Sequence, residues 1–453
     1  MIEGNKITQR PTTRRIGIFI FVWLGQLVSL IGSGLTSFAL GVWVYQRTGS
    51  VTQFALISLC TVVPMIVISP IAGALVDRWS RRWTMLLSDC GAGLCTLALA
   101  LMLFVGRLEV WHIYVVTFAN SICSAFQLPA YTAATTLLVP KQHLSRASGL
   151  IHMGQSLAQL ISPMLAGALI VTIQIQGVIL LDFASFLFAL VTLLFVRFPK
   201  PKPETTSVNI AEKGSLLREV VYGWTYITAR PGLLWLLIFL ATTNFLMGSV
   251  GVLATPLVLS FASAPVLGIV MSIGGSGMVF GSLVMSIWGG SQHLINSVFG
   301  FMLLNGLCLL VAGLRTSAPL FAVAAFLFFF GLPFINGSTQ VIFQKKVALN
   351  VQGRVFALMG MIVGSSLPLA YLVAGPLADR VFEPLLLPGG VLAKSIGKLI
   401  GVGPGRGIGL MFIVMGALTM LTTVVAYQYS HIRLLEKQLP DAIANPATDT
   451  NSL

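Results

Sequence analysis

SPIAGALVDRWSRRWTMLLSD, residues 69–89, decides how the chain folds. Asp77, Arg78, Arg81 and Arg82 fall within six residues of a protein in which 9% of residues are charged. Apolar runs flank the cluster on both sides. Charges this dense do not lie in hydrocarbon, so the stretch is a short hairpin at a membrane surface joining two spanning helices. Gly73 and Ala74 are small enough to let two helices approach closely at the end of a span. Asp77 is placed to accept hydrogen bonds from the N-terminus of a neighbouring helix, and the arginines to pair with that carboxylate or with lipid phosphates. Gly73, Asp77, Arg78, Arg81 and Arg82 then form a latch that breaks when two halves of the protein rock apart. The arginines alone also serve to fix topology, as in any basic cytoplasmic loop.

The composition around this stretch agrees. The 453 residues are 56% apolar with a mean hydropathy of +0.92, far more apolar surface than a water-exposed globular chain carries, so this is an integral membrane protein. Cys60, Cys90, Cys95, Cys123 and Cys308 all lie inside apolar runs and form neither a disulfide framework nor a metal-ligand spacing. His112, His143, His152, His293 and His431 are scattered, so neither a metal nor a cofactor is expected. The net charge of +14 is spread unevenly: 20 of the 27 Lys and Arg fall in the two termini and the even-numbered loops. That bias places both termini in the cytoplasm and makes the anionic lipid surface the partner, not nucleic acid.

In chain order, a polar basic tail over 1–15 precedes an apolar run from Ile16 to Tyr45. The run is too long for a signal-peptide core and is read as the first span. Further spans are predicted at 51–76, 83–106, 111–139, 146–171, 177–198, 233–260, 263–289, 293–314, 318–342, 353–379 and 408–430, giving an all-α membrane protein with twelve transmembrane helices. The segment 199–232 is a cytoplasmic linker between an N-terminal bundle, 16–198, and a C-terminal bundle, 233–430. Within it Leu217, Val220, Val221, Trp224 and Thr228 recur at helical spacing, which predicts an amphipathic helix on the membrane surface. A long external loop, 380–407, holds a second predicted interfacial helix, with Lys394 and Lys398 among Leu392, Ile396, Leu399 and Ile400. A polar tail, 431–453, ends the chain.

The halves look like a repeat. Gly73-Ala-Leu-Val matches Gly281-Ser-Leu-Val, and Arg146-Ala-Ser-Gly-Leu matches Arg354-Val-Phe-Ala-Leu, both at an offset of 208 residues. The second copy has lost the charges of the first, since its loop reads WGGSQHLIN, residues 288–296.

Gly73-Ala-Leu-Val-Asp77-Arg78-Trp-Ser-Arg81-Arg82 resembles the signature of the major facilitator superfamily, with Ser80 where that family usually has a second glycine. LLSD at 86–89, LPAYTAATTLLVP at 128–140, LLDFASFL at 180–187 and GRVFAL at 353–358 are similar to the subgroup of bacterial exporters that includes macrolide-efflux and enterobactin-exporter proteins. The resemblance implies two six-helix bundles, alternating access, and a cavity lined by spans 1, 4, 7 and 10. Ser162-Pro163-Met-Leu-Ala166-Gly167 also resembles the family's antiporter motif, which implies a kinked hinge in span 5.

Polar residues at helical spacing mark candidate cavity positions. Span 1 carries Gln26, Ser29, Ser33 and Ser37; span 4 carries Thr117, Asn120, Ser124, Gln127 and Tyr131; span 5 carries His152, Gln155, Gln159 and Ser162. Asn244, Asn336 and Gln340 are their counterparts in the second half. In lipid such side chains face a cavity or glue helices together, and the spacing alone allows both. Two carboxylates fall within spans, Asp89 and Asp182. Either is a candidate proton carrier; Asp89 also sits close enough in sequence to Arg81 and Arg82 for a structural pair. No nucleotide-binding or hydrolytic motif is present. The chain is therefore read as a non-enzymatic, proton-coupled exporter of amphipathic small molecules such as a drug, siderophore or peptide-like product, a monomer in the bacterial inner membrane. A lipid or lysolipid flippase on the same scaffold is the alternative.

Overall fold

The computed structural model describes residues 12–76, 79–196, 216–288, 291, 293–348 and 351–439. Asp77 and Arg78 therefore lie outside the described residues, as do the linker as far as residue 215 and the ends of both tails. Regular structure among the described residues is helical. Twelve of the helices are long and apolar enough to cross a membrane. They are α1 (Thr12–Thr48), α2 (Val51–Val76), α3 (Arg81–Phe104), α4 (Val110–Leu138), α5 (Leu144–Thr172), α6 (Gln174–Phe195), α8 (Pro231–Leu259), α9 (Ala264–Trp288), α10 (Leu294–Leu314), α11 (Ala318–Lys346), α12 (Gln352–Leu377) and α13 (Arg406–Gln428); α7 (Leu216–Thr228) is shorter. The chain divides into two compact units: Met1–Thr48 with Leu56–Thr205, and Gly49–Ala55 with Thr206–Leu453.

In the first unit α1 packs against α5 and α6, and α3 against α4 and α6. Small residues set these distances. A Cβ on Gly25 meets Thr192 of α6, and one on Gly34 meets Ser162 of α5, so α1 approaches both neighbours at glycine contact distance. At the start of α3 the guanidinium of Arg81 donates to Ala133 O at 3.1 Å and that of Arg82 to Leu194 O at 2.8 Å. The second contact puts a cation on the last turn of α6, where free carbonyls favour it. Gly73, predicted as a close-approach point, has nothing within 4 Å of a Cβ built on it.

In the second unit α9 lies against α11 through Gly274, Gly277 and Gly281. α10 packs against α11 and α13, and α8 against α12 and α13. Ile227, Leu236, Val298, Phe343 and Val355 form part of its core. A helix, α7, stands where the amphipathic segment was expected, and one face of it docks onto the second unit. Ile227 is fully buried, Tyr226 Oη accepts from Ala348 N at 3.1 Å, and Gly223 abuts Arg354, whereas Val221 and Trp224 stay exposed. The exposed apolar pair suits a lipid surface.

The eleventh span does not stop at residue 379. The helix continues through a wide turn, Ala378–Phe382, into Glu383–Leu386, so the connection to α13 is shorter than the expected 380–407. The carboxylates of this extension serve as helix caps. Asp379 accepts from Ser50 Oγ at 2.6 Å and from Val51 N and Thr52 N at 2.9 Å each, satisfying the first turn of α2. Glu383 accepts from Gly405 N at 3.3 Å and Ile408 N at 3.2 Å at the start of α13. The predicted interfacial helix around Lys394 and Lys398 reduces to one turn, Gly397–Ile400. Ile400 packs with Leu386 and Leu410 while Leu399 stays exposed. An Asp379→Ala substitution removes a cap and is expected to lower stability by about 1 kcal/mol, read as a fall in the thermal midpoint of the detergent-purified protein, with Asp379→Asn restoring part of it.

Candidate functional site

Asp89 and Asp182, the two carboxylates that the sequence reading placed within spans, belong to the first unit. Asp182 on α6 is 2% exposed. Gly32 of α1 lets the carboxylate come close: a Cβ there meets Asp182 Oδ1 at 2.8 Å and overlaps Ser185. Thr96 Oγ1 of α3 donates to Asp182 Oδ2 at 3.4 Å, Ser185 Oγ reaches Oδ1 at 3.5 Å, and Ser33 of α1 stands against the same group. The carboxylate thus sits where α1, α3 and α6 meet, surrounded by hydroxyls that can each donate or accept.

Asp89 on α3 is 5% exposed and turns away from the arginines proposed as its partners. Arg81 and Arg82 each donate to a backbone carbonyl. Gln26 Nε2 of α1 instead donates to Asp89 Oδ2 at 3.0 Å, and Gln127 Nε2 of α4 donates to Gln26 Oε1 at 2.9 Å. Gln26 and Ser29 are accordingly buried between helices. Ser33, Asn120, Gln127 and Gln155 are half-buried, and His152 and Gln159 exposed. Ser162 is buried and donates to Ile31 O at 3.1 Å. α5 runs through Pro163 as one helix.

The second unit contains a cavity of about 780 Å³. Asn244, Asn336 and Gln340 all line it, together with Met247, Met271, Met302, Phe321, Phe328 and Phe329. Asn244 Nδ2 also ties α8 to α12, donating to Val363 O at 2.8 Å and Ser366 Oγ at 2.7 Å. The lining has no Asp, Glu, Lys, Arg or His. Flexible thioethers and aromatic faces with a few amides accept varied apolar shapes while fixing a small number of polar groups.

Sequence reading missed two features here. Tyr371 of α12 lines the cavity, and Asn305 of α10 is fully buried with neither amide atom partnered among the described residues. A lone Asn in LLNGL, residues 303–307, lacks the repeated spacing that marked the other stripes. Among the described residues no three His, Cys, Asp or Glu side chains converge.

A family model described as Major Facilitator Superfamily matches residues 22–371. The chain is 29% identical to macrolide efflux protein A of Streptococcus pyogenes over 367 residues, covering 80% of this chain and 90% of that protein. It is 26% identical to an enterobactin exporter of Shigella boydii over 213 residues, 47% of this chain and 50% of the relative. The fold matches a bacterial homologue of the human lysosomal transporter Spinster in an inward-facing, unoccupied conformation, with a TM-score of 0.69 at 14% identity, covering 97% of this chain and 100% of that one.

Proposed function

The chain belongs to the Major Facilitator Superfamily and is a membrane transporter, and on that premise we propose that it is a proton-coupled exporter of amphipathic small molecules. One observation carries the proton half of the reading. Asp182 is 2% exposed, and the partners that the described residues give it are hydroxyls rather than cations. A carboxylate without a counter-ion at membrane depth is costly, by about 3 kcal/mol at a helix centre, and such groups mark proton pathways. The uncharged, Met- and Phe-rich cavity supports an amphipathic substrate. So do the relatives, one named for macrolide efflux and one for enterobactin export.

The same reading makes the protein non-enzymatic and a monomer in a bacterial plasma membrane, with both termini in the cytoplasm. The placement of Lys and Arg supports that orientation. Asp77, Arg78, Arg81 and Arg82 hold the cytoplasmic side closed in the outward-facing state. The test is accumulation of rhodamine 6G in cells that make the protein or its Asp77→Asn variant, with and without a protonophore. Lower accumulation that disappears in the variant and with the protonophore is expected. Equal accumulation in all four, with the protein in the membrane, contradicts the reading.

The cavity makes a separate prediction. Asn336→Leu or Gln340→Leu is expected to weaken export of dyes bearing hydrogen-bonding groups about fivefold per lost bond, as a rise in apparent KM, with dyes lacking such groups unaffected.

A further inference from the structure

We propose that Asp89, Gln26 and Gln127 form a protonation-controlled relay that offers a hydrogen-bond acceptor to an N–H or O–H group of the substrate when Asp89 is an anion, and a donor when Asp89 is protonated. The inference rests on the exporter reading, because it describes how a bound proton changes the grip on substrate.

The geometry is directional. An anionic carboxylate accepts only, so it draws the Gln26 amide in NH2-first, at 3.0 Å. Gln26 then has its carbonyl left to accept from Gln127 Nε2, at 2.9 Å, and Gln127 itself stands against the same carboxylate. Both amide nitrogens are thereby committed inward. What remains is Gln127 Oε1, a buried atom without a partner among the described residues. A buried carbonyl left unpaired is unusual, and it is the kind of atom that a ligand satisfies. Two more such atoms lie on the same face of α4, Asn120 Oδ1 one turn pair earlier and Tyr131 Oη one turn later. Gln127 as a whole is half-buried, and in the proposed relay its side chain rotates so that Oε1 meets the substrate.

Protonation reverses the chain. The Asp89 O–H becomes a donor and needs an acceptor, and the nearest are the two amide oxygens. Satisfying it requires an amide to rotate, which sends the Gln26 NH2 toward Gln127 and leaves the Gln127 NH2 pointing outward. α4 and α6 carry neither Lys nor Arg over Val110–Leu138 and Gln174–Phe195, and on α3 itself Arg81 and Arg82 each donate to a backbone carbonyl. The ionisable groups of α4 are His112, Tyr114, Tyr131 and Cys123, the last of which senses the Asp89 charge, and α6 carries Asp182. On α1 the group facing Asp89 is the neutral Gln26.

The test is binding of a matched pair of neutral dyes to the full-length protein in nanodiscs, by fluorescence anisotropy over a series from mildly acidic to neutral pH. The pair is Nile red, which has no N–H or O–H, and its 2-hydroxy analogue, which differs by one donor. The hydroxylated dye is expected to bind about fivefold more tightly than its parent at the neutral end, one hydrogen bond's worth, and to lose that advantage at the acidic end. Gln26→Met keeps both shape and the Asp89 charge, and is expected to make the advantage independent of pH. Gln127→Met is expected to remove it at every pH. Parallel pH shifts of both dyes overturn the proposal, since water rather than substrate then meets the relay. A pH-dependent advantage that survives in Gln26→Met also overturns it, because the charge of Asp89 alone suffices. Binding in nanodiscs needs no gradient, so a protein that binds in this pattern yet exports neither dye supports the relay and removes the export reading.

Discussion

Asp182→Asn is expected to stop gradient-driven export, returning rhodamine 6G accumulation to that of cells without the transporter, while the protein still inserts and purifies as a single species. The asymmetry follows from what surrounds the side chain. Thr96, Ser185 and Ser33 are hydroxyl groups that meet an amide as readily as a carboxylate. Gly32 leaves room for either, and the two side chains have nearly the same shape. Folding also loses an acid buried in a membrane interior, so stability is expected to hold or rise. What the amide cannot do is take up and release a proton. Transport by Asp182→Asn that matches the wild type across a pH series rules out this residue as the carrier.

Gly277→Val is expected to have the largest effect on stability. A Cβ on Gly277 runs into the backbone carbonyl of Phe326, and one on Gly281 into that of Phe330. Backbone carbonyls within the 29-residue α11 cannot turn aside as a flexible side chain can. The α9–α11 interface must therefore separate along its length, at about 3 kcal/mol, the upper range for overpacking. Thermal inactivation followed by size-exclusion chromatography is expected to show a large loss of monodisperse protein at growth temperature. Gly300→Val is the control, because a Cβ there meets nothing within 4 Å. Equal behaviour of the two variants contradicts the packing described for α9 and α11.

The length and number of spans were legible because hydrocarbon admits only long apolar helices, and that constraint is written directly in composition. The family signature was legible for a similar reason, since the charge cluster of residues 77–82 is the one place where such a chain is forced to be polar. Partners across the fold were not. Arg81 and Arg82 meet carbonyls 52 and 112 residues away, and Asp89 meets Gln26 63 residues away. Asp379 and Glu383 drew no role from the sequence because their partners lie far along the chain, and each serves as a cap that satisfies free N–H groups at a helix start. The polar stripes announced their helices but not their surroundings. Gln26 and Ser29 are buried while Asn336 and Gln340 line open space, and helical spacing of three or four residues produces both outcomes. In α7 the spacing did not announce that Ile227 is the residue buried against the second unit.

Proton movement tied to substrate movement is the most direct test. Proteoliposomes are made acidic inside, loaded with a trapped pH-reporting dye, and given rhodamine 6G outside. Uptake of rhodamine 6G together with a rise in internal pH beyond that of protein-free liposomes is expected, with both responses absent in Asp182→Asn. Rhodamine 6G uptake with no accompanying change in internal pH, or equal responses from wild type and Asp182→Asn, contradicts a proton-coupled exporter that works through this carboxylate.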